Sequence, residues 1–221
     1  HKPVQPTSDQ DVTVTVMASD PDGVVAVSLE YQVVRPGHYI RKTDFEFQTS
    51  WNSLPMRDDG TRRDVRAADS IFSAVIPATL NQHRHLVRYR VRALDTRADV
   101  VVVPYADDPQ PNFAYFVYDG IPDWTGANRP GVTEPITFGS DVMNQLPAYH
   151  LIADAEDVEK SHYDKLFHEV RFRGTMVYDQ QVYDHISFRV RGEFSTYLTG
   201  KNRLKFFFNR GHEFQARDNY G

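Results

Sequence analysis

Runs of alternating apolar and polar residues recur through the first half of the chain, and turn-forming residues separate them. Val12, Val14 and Val16 alternate with Thr13 and Thr15, which is the period of a half-buried strand. Further runs of strand length follow, with Pro, Gly and Asp between them, at 24–34, 71–76, 86–94, 100–103 and 113–117. No convincing helical period interrupts them. The pattern predicts an antiparallel β-sandwich over residues 10–118 and a mainly β fold.

The remaining residues divide into a connection and a second domain. Pro and Gly break every period between 119 and 145, which favours an irregular inter-domain connection. From 146 onward we expect a strand, a helix with Asp154 as its N-cap, a hairpin turning at Asp179 and Gln180, and a last strand. This order is typical of an α+β domain. About 75 residues are few for such a domain to form a complete core on its own. The predicted domains are therefore a sandwich with its N-terminal linker, a connection and an incomplete second domain, at 1–118, 119–145 and 146–221.

Composition and charge exclude several classes of protein. The chain has no Cys, so disulfides and thiolate-bound zinc or iron–sulfur centres are excluded. Its longest apolar runs, such as 100–103 and 206–208, are far too short to cross a bilayer, so no membrane span is expected in this chain. Residues 171–221 carry nine Lys and Arg against five Asp and Glu, whereas residues 1–170 carry 16 against 25. A local positive surplus in an acidic chain favours an anionic ligand near the C-terminus, but not nucleic acid.

The clearest chemical signal lies in two basic strands at 182–191 and 201–209, joined by a loop rich in Gly, Ser and Thr. Arg189 and Arg191 alternate with apolar residues, so both guanidinium groups belong to one strand face. Arg191 runs directly into Gly192, where backbone amides become available in the turn. Amide donors and fixed positive charge together suit a triphosphate. A polar, solvated outer face of a half-buried sheet is the alternative that the sequence leaves open.

The densest group of carboxylates is Asp58, Asp59, Asp64 and Asp69. Closely spaced carboxylates are ligands for hard cations such as Ca²⁺, but the EF-hand pattern fails because no Glu stands at the twelfth position. Asp residues in loops more often accept hydrogen bonds from nearby backbone amides. We therefore expect an ordered loop of Asx turns, with calcium binding as the alternative.

Three segments of the second domain resemble the N-terminal part of the CotH family, the spore-coat-type atypical protein kinases of bacteria. They are the opening 146–151, the strand and turn at 186–195, and the end of the basic strand at 205–209. Upstream, residues 58–77 are similar to the Ig-like or fibronectin-like modules that precede CotH domains in exported bacterial proteins. Phe207 departs from the family pattern, since a polar or basic residue is commoner there.

The family's turn, Arg-Gly-x-x-Ser, is matched by Arg191, Gly192 and Ser195, and its Lys-rich strand by Lys201 and Lys205. The resemblance implies that these five residues hold the phosphates of a nucleotide, with Lys205 the preferred lysine. It further implies an Ig-like β-sandwich followed by a partial kinase-like N-terminal lobe.

The activity that the resemblance implies is transfer of phosphate from ATP to Ser or Thr of a protein substrate, with Mg as the metal. The family's catalytic and metal-binding aspartates would lie beyond Gly221. This chain would then be an inactive N-terminal fragment of an intact kinase. An extracellular or cell-envelope location in a bacterium is implied as well.

A second hypothesis is a non-catalytic cell-surface protein, whose sandwich would bind a polysaccharide or a neighbouring envelope protein. Its candidate binding surface consists of four aromatic residues, Tyr39, Phe45, Phe47 and Trp51. Exposure of these rings in one patch would favour this hypothesis, and their burial in the core would not.

Overall fold

The fold is mainly β and its sheets are antiparallel, as the alternating runs predict. It was obtained as a computed structural model, which describes residues 1–127, 131–145, 147–192 and 203–215. No helix in the described part of the chain has both the length and the apolar character needed to cross a membrane. The assignment of the two units to an Ig-like module and a kinase-like lobe stays a prediction.

The first unit consists of two antiparallel sheets that pack face to face. The larger sheet has the order β3-β2-β5-β6, with β7 also pairing with β5, and the smaller sheet consists of β1 and β4. The elements in chain order are β1 (Val12–Met17), β2 (Val24–Val34), α1 (Phe45–Thr49), β3 (Asn52–Met56), β4 (Ile71–Ile76), β5 (Leu86–Asp95), β6 (Val100–Val103) and β7 (Phe113–Phe116). A short 3-10 turn, Ala78–Leu80, precedes β5.

The core of the first unit follows from the period-two pattern. Val12 and Val14 of β1 are buried against Leu29 of β2 and Val87 of β5, while the intervening Thr13 lies nearer the surface. Burying alternate apolar side chains of facing sheets is what stabilises a sandwich.

The predicted irregular connection contains regular structure. Two short strands, β8 (Trp124–Gly126) and β9 (Ile136–Phe138), pair with each other, and the short helix α2 (Ser140–Met143) follows. The rings of Trp124 and Phe138 stack with their centroids 5.9 Å apart. Three-residue strands are too short to show a period among so many Pro and Gly, so the sequence pattern could not reveal them.

The second unit has the predicted β-α-β-β-β order. Its four strands form one antiparallel sheet, β10-β11-β12-β13, over β10 (Tyr149–Ala153), α3 (Ala155–Tyr163), β11 (Phe172–Tyr178), β12 (Gln181–Arg191) and β13 (Arg203–Phe207). Asp154 caps α3 by accepting a hydrogen bond from the Glu156 amide at 3.0 Å, as predicted. Asp179 and Gln180 form the tight turn between β11 and β12, both with positive φ.

The two units share a hydrophobic core. Val34, Leu86 and Phe116 of the first unit are buried together with Ile152 of β10 and Val177 of β11. This contact covers one end of one face of the second sheet and leaves the other end of that face uncovered. The packing therefore fixes the orientation of the second sheet relative to the sandwich.

We expect Gly174→Ala to lower the free energy of unfolding by about 1 to 3 kcal/mol, because the site is already filled. A Cβ atom at Gly174 would lie 2.8 Å from the Ile152 carbonyl oxygen and 3.3 Å from a ring carbon of Phe188. Backbone in the middle of a sheet cannot move aside cheaply. Urea unfolding of the two proteins measures the difference.

Gly139→Ala is the matched control for this substitution. Its Cβ would meet the flexible side chain of Asp141, and the φ of Gly139 is an ordinary −66°. The control should change stability by less than about 0.5 kcal/mol. Equal effects at the two positions would contradict the steric argument.

Candidate functional site

Six cationic side chains lie on one largely exposed face of the second sheet, here termed the basic face: Arg171, Arg173, Arg189, Arg191, Arg203 and Lys205. Directly opposite residues of antiparallel strands project to the same side of a sheet. Arg189 lies opposite Lys205, and Arg191 lies opposite Arg203. The strand pairing therefore brings charges from β12 and β13 together.

An aromatic ring organises the centre of the basic face. The Arg171 guanidinium carbon lies 3.8 Å from the centroid of Phe207, and the Lys205 ammonium lies 5.0 Å from it. Both contacts are within the range of cation–π attraction. Ser187, which lies opposite Phe207, accepts a hydrogen bond from Arg173 at 3.3 Å. Phe207 thus supplies a platform that holds two cations in place.

Only one side of this half of the sheet is accessible. On the opposite side, Phe172 and Phe188 pack with Val158 of α3. On the basic side, the sandwich covers Ile152 and Val177, and its segment 39–43 reaches as far as Arg173. The uncovered half-face is therefore a surface on which an anion can be bound.

The charges of the basic face are mostly uncompensated. Arg189 has a carboxylate partner, Glu169, and within the described ranges none of the other five cations has one. Neighbouring cations without counter-charges create a positive potential, which attracts anionic ligands.

The residues predicted to bind nucleotide fall into two groups. Arg191 and Lys205 lie on the basic face, and Gly192, which directly follows β12, has φ 124°, a conformation that favours glycine. Ser195 and Lys201 lie outside the described residues.

Sequence reasoning missed three members of the basic face, namely Arg171, Arg173 and Arg203. The Arg-Phe-Arg alternation at 171–173 and the Arg-Leu-Lys alternation at 203–205 carry the same period-two signal as Arg189 and Arg191. That signal places each pair on one face of its own strand, whereas the register of the strands determines that these faces coincide.

A buried ion pair connects the basic sheet to the sandwich. Arg88 of β5 donates to Asp184 of β12 through Nε at 2.7 Å and through Nη2 at 3.0 Å, and neither side chain is exposed to solvent. Asp184 also accepts hydrogen bonds from Tyr39 at 3.0 Å and Asn112 at 2.9 Å, and from Thr175. A buried carboxylate needs this many donors to offset the loss of water.

The ion pair controls the ionisation of both partners. Burial alone would raise the pKa of Asp184, but the charges of Arg88 and His185 hold that pKa well below its ordinary value. Burial would likewise lower the pKa of Arg88, and the Asp184 carboxylate reverses that effect and raises it. Both groups are therefore charged across the physiological pH range.

His185 follows Asp184 and marks an irregularity in β12. Its φ is 55°, and the pairing of β12 with β11 shifts register here. Its Nε2 donates to the Asn112 side-chain oxygen at 2.7 Å. Burial lowers the pKa of His185 to about 4, with Arg88, Lys42 and Arg173 acting in the same direction against the opposing effect of Asp184.

The buried network positions the candidate site. Asp184 precedes Arg189 by five residues on the same strand, so the bond to Arg88 anchors the strand that carries the basic face. A small cavity of about 150 Å³ lies between the network and the basic face, with Lys42, Arg173 and Asn209 in its wall. The first unit thereby contributes a further cation near the basic face.

The Asp58–Asp69 loop is ordered by its own carboxylates. Asp58 accepts hydrogen bonds from the Asp69 and Ser70 amides at 3.1 and 2.9 Å, and Asp64 accepts one from the Gly60 amide. The expected Asx turns are also present, because Asp59 and Asp69 accept hydrogen bonds from the amides two residues further on, those of Thr61 and Ile71, each at 3.0 Å. Carboxylate oxygens of Asp58, Asp64 and Asp69 lie within 4.8 Å of one another, so these residues are the group that can hold a cation in the described part of the chain.

The predicted aromatic binding patch does not exist as a surface. Tyr39 and Phe47 are each only 4% exposed and belong to the shared core of the two units, whereas Phe45 is 81% exposed. Trp51 packs edge-on against Phe47. Burial of two of the four rings removes the observation on which a polysaccharide-binding sandwich rested.

Comparison with protein-family models, with curated proteins and with solved structures finds no match to this chain.

Proposed function

We propose that the basic face binds the phosphates of a nucleoside triphosphate, ATP in the first instance. The observation that carries this proposal is the convergence of cations from two strands on one uncovered half-face, next to Gly192 with its positive φ. Phosphate oxygens are recognised by guanidinium groups and by backbone amides. The half-face provides the guanidinium groups, and Gly192 follows Arg191 directly in the chain.

The wider proposal is that the chain is the nucleotide-binding front portion of an exported CotH-type kinase acting on Ser or Thr of proteins. Its support is the resemblance of the turn and basic strand to that family. In phosphoryl transfer the protein mainly positions phosphates and stabilises their charge, which is a task for Arg and Lys. The extracellular or cell-envelope location belongs to the same proposal.

The basic face suits ATP better than it suits Mg. Magnesium needs oxygen ligands such as carboxylates. In the described ranges, Glu169 is the carboxylate paired with a cation of the basic face, whereas the three-carboxylate group, Asp58, Asp64 and Asp69, belongs to the first unit.

We expect the chain to bind a fluorescent ATP analogue, and Lys205→Ala to raise its Kd about tenfold, which corresponds to the loss of one charge-assisted contact. Arg191→Ala should have a similar effect. Fluorescence titration at low salt measures both. Arg66→Ala is the matched control, because Arg66 is an exposed arginine of the Asp58–Asp69 loop and should leave Kd unchanged.

Inorganic triphosphate distinguishes a nucleotide site from a general anion surface. A nucleotide site should bind ATP more tightly than triphosphate alone, since the base and sugar add contacts. Equal competition by the two ligands would reduce the proposal to anion binding. Unchanged affinity in both variants, with folding retained, would contradict it.

A further inference from the structure

We propose that the free edge of β10 binds an extended peptide carrying acidic side chains, by adding the peptide to the sheet as a further strand. β10 is the terminal strand of its sheet, and the described chain places no strand beyond it. A terminal strand presents a row of unpaired N–H and C=O groups, which an extended peptide can satisfy.

A cleft runs along this edge. It has a volume of about 870 Å³, and its wall includes six consecutive residues at 148–153. The two faces of a strand each show alternate residues, so consecutive residues line a cleft only where it follows the strand edge. Six residues of a strand span roughly 20 Å, which suits a peptide segment of similar length.

The cleft has walls on both sides of the strand edge. Phe116 and Tyr118 of the sandwich form one wall, and Val158 of α3 contributes to the other. At the C-terminal end of β10, Gly37 already forms a parallel bridge with Asp154, and its carbonyl accepts from the Ala155 amide at 3.1 Å. The sandwich thus makes the first strand-like pairing at one end of the cleft, and the rest of the edge remains available.

The polar groups of the cleft indicate the charge of its ligand. Arg84 lines the cleft, its side chain is exposed, and none of the described residues provides it with a carboxylate partner. Burial lowers the pKa of His150 in the cleft wall, and Arg84 and His83 act in the same direction. An exposed arginine without a carboxylate partner, beside a free strand edge, favours a peptide with Asp or Glu.

One further group lacks a partner at this place. The Tyr118 hydroxyl is the buried side-chain polar atom that has no hydrogen bond within the described residues. A buried hydroxyl without a partner destabilises a protein. Tyr118 lines the cleft, so this hydroxyl belongs to a residue beside the proposed peptide site.

Another terminal strand lacks these features. β3 is the edge of the larger sandwich sheet and contains Pro55, which cannot donate a hydrogen bond. Proline at such a position is a common protection against strand addition. β10 has no proline between Tyr149 and Ala153.

The test uses a fluorescein-labelled peptide of about seven residues in which Val and Glu alternate, a length that matches the strand edge. Fluorescence polarisation should give saturable binding to the chain, and Arg84→Glu should raise Kd at least about tenfold. Arg66→Glu, an equal charge reversal at an exposed site in the sandwich loop, should leave Kd nearly unchanged. Replacing Glu by Lys in the peptide should also abolish binding.

Backbone pairing has its own readout. A peptide that is N-methylated at alternate residues cannot donate to the strand edge and should not bind. On binding of the unmodified peptide, amide hydrogen exchange should slow in β10. Failure of the alternating peptide to bind at millimolar concentration, equal binding of the methylated peptide, or protection confined to another strand would each overturn the proposal.

Discussion

Asp184→Asn is expected to lower the free energy of unfolding by roughly 3 to 5 kcal/mol, since it leaves the Arg88 guanidinium buried without a counter-charge. Both side chains are fully buried, and two hydrogen bonds of 2.7 and 3.0 Å join them. Arginine does not release its proton in proteins, so it cannot escape this cost by becoming neutral. The amide keeps the shape of the carboxylate, which separates the loss of charge from the loss of packing.

Glu30→Gln is the matched control. Glu30 of β2 pairs with Arg90 at 2.6 Å, and Arg90 lies on β5 as Arg88 does, but both side chains of this pair are partly exposed. A solvated pair contributes about 1 kcal/mol or less. Urea unfolding at neutral pH should therefore separate the two variants clearly. Similar losses in both would show that burial does not set the strength of the Arg88–Asp184 pair.

Local patterns were sufficient to predict most strands and part of the candidate site. The alternation of Arg189 and Arg191 with apolar residues already placed both on one strand face, because a strand has a strict period of two. The pairing of Arg189 with Lys205 required the register of β12 and β13, which the sequence alone does not supply. The same limit explains why the face of Lys205 could not be predicted.

Short elements and long-range contacts were not predictable from the sequence. The helix Phe45–Thr49 has five residues, fewer than two turns, so it shows no helical period. β3 contains Pro55, which argues against a strand unless the strand lies at an edge, as this one does. These two elements explain why Phe47 is buried in the core although its segment resembles a loop.

The buried ion pair between Arg88 and Asp184 was not predictable from the sequence either. Arg88 and Asp184 are 96 residues apart. Arg88 alternates with Arg90 and Arg92 along β5, which is the pattern of a solvated strand face, so nothing local marks it as buried. Its burial and its partner are set by the packing of one unit against the other.

His185 gives the second large expected effect, a loss of stability as the pH falls from 6.5 to 4.5. Burial lowers its pKa from the ordinary 6.5 to about 4 in the folded protein. Above pH 6.5 the imidazole is neutral in both states, so it contributes no pH dependence. Below pH 6.5 the unfolded chain takes up a proton that the folded protein does not, which lowers the free energy of unfolding by roughly 2 to 3 kcal/mol over this window.

Between pH 6.5 and 4.5 the pH dependence of stability comes mainly from histidines and not from carboxylates. Groups with lowered carboxyl pKa, such as Asp184 and Glu213, lose most of their stabilising effect below their ordinary pKa values of 3.8 and 4.5. Burial also lowers the pKa of His150, which adds a contribution of the same sign. A comparison of variants is therefore needed to isolate His185.

His185→Gln keeps a donor near the Nε2 position for Asn112 but cannot take up a proton. Urea unfolding measured at several pH values from 7 to 4.5 should give this variant a distinctly shallower pH dependence than the unsubstituted protein. His38→Gln is the matched control, since the His38 ring is exposed, and it should retain the full slope. An unchanged slope in His185→Gln would mean that His185 is protonated in the folded protein as readily as in the unfolded chain, so that burial beside Arg88, Lys42 and Arg173 does not exclude the proton.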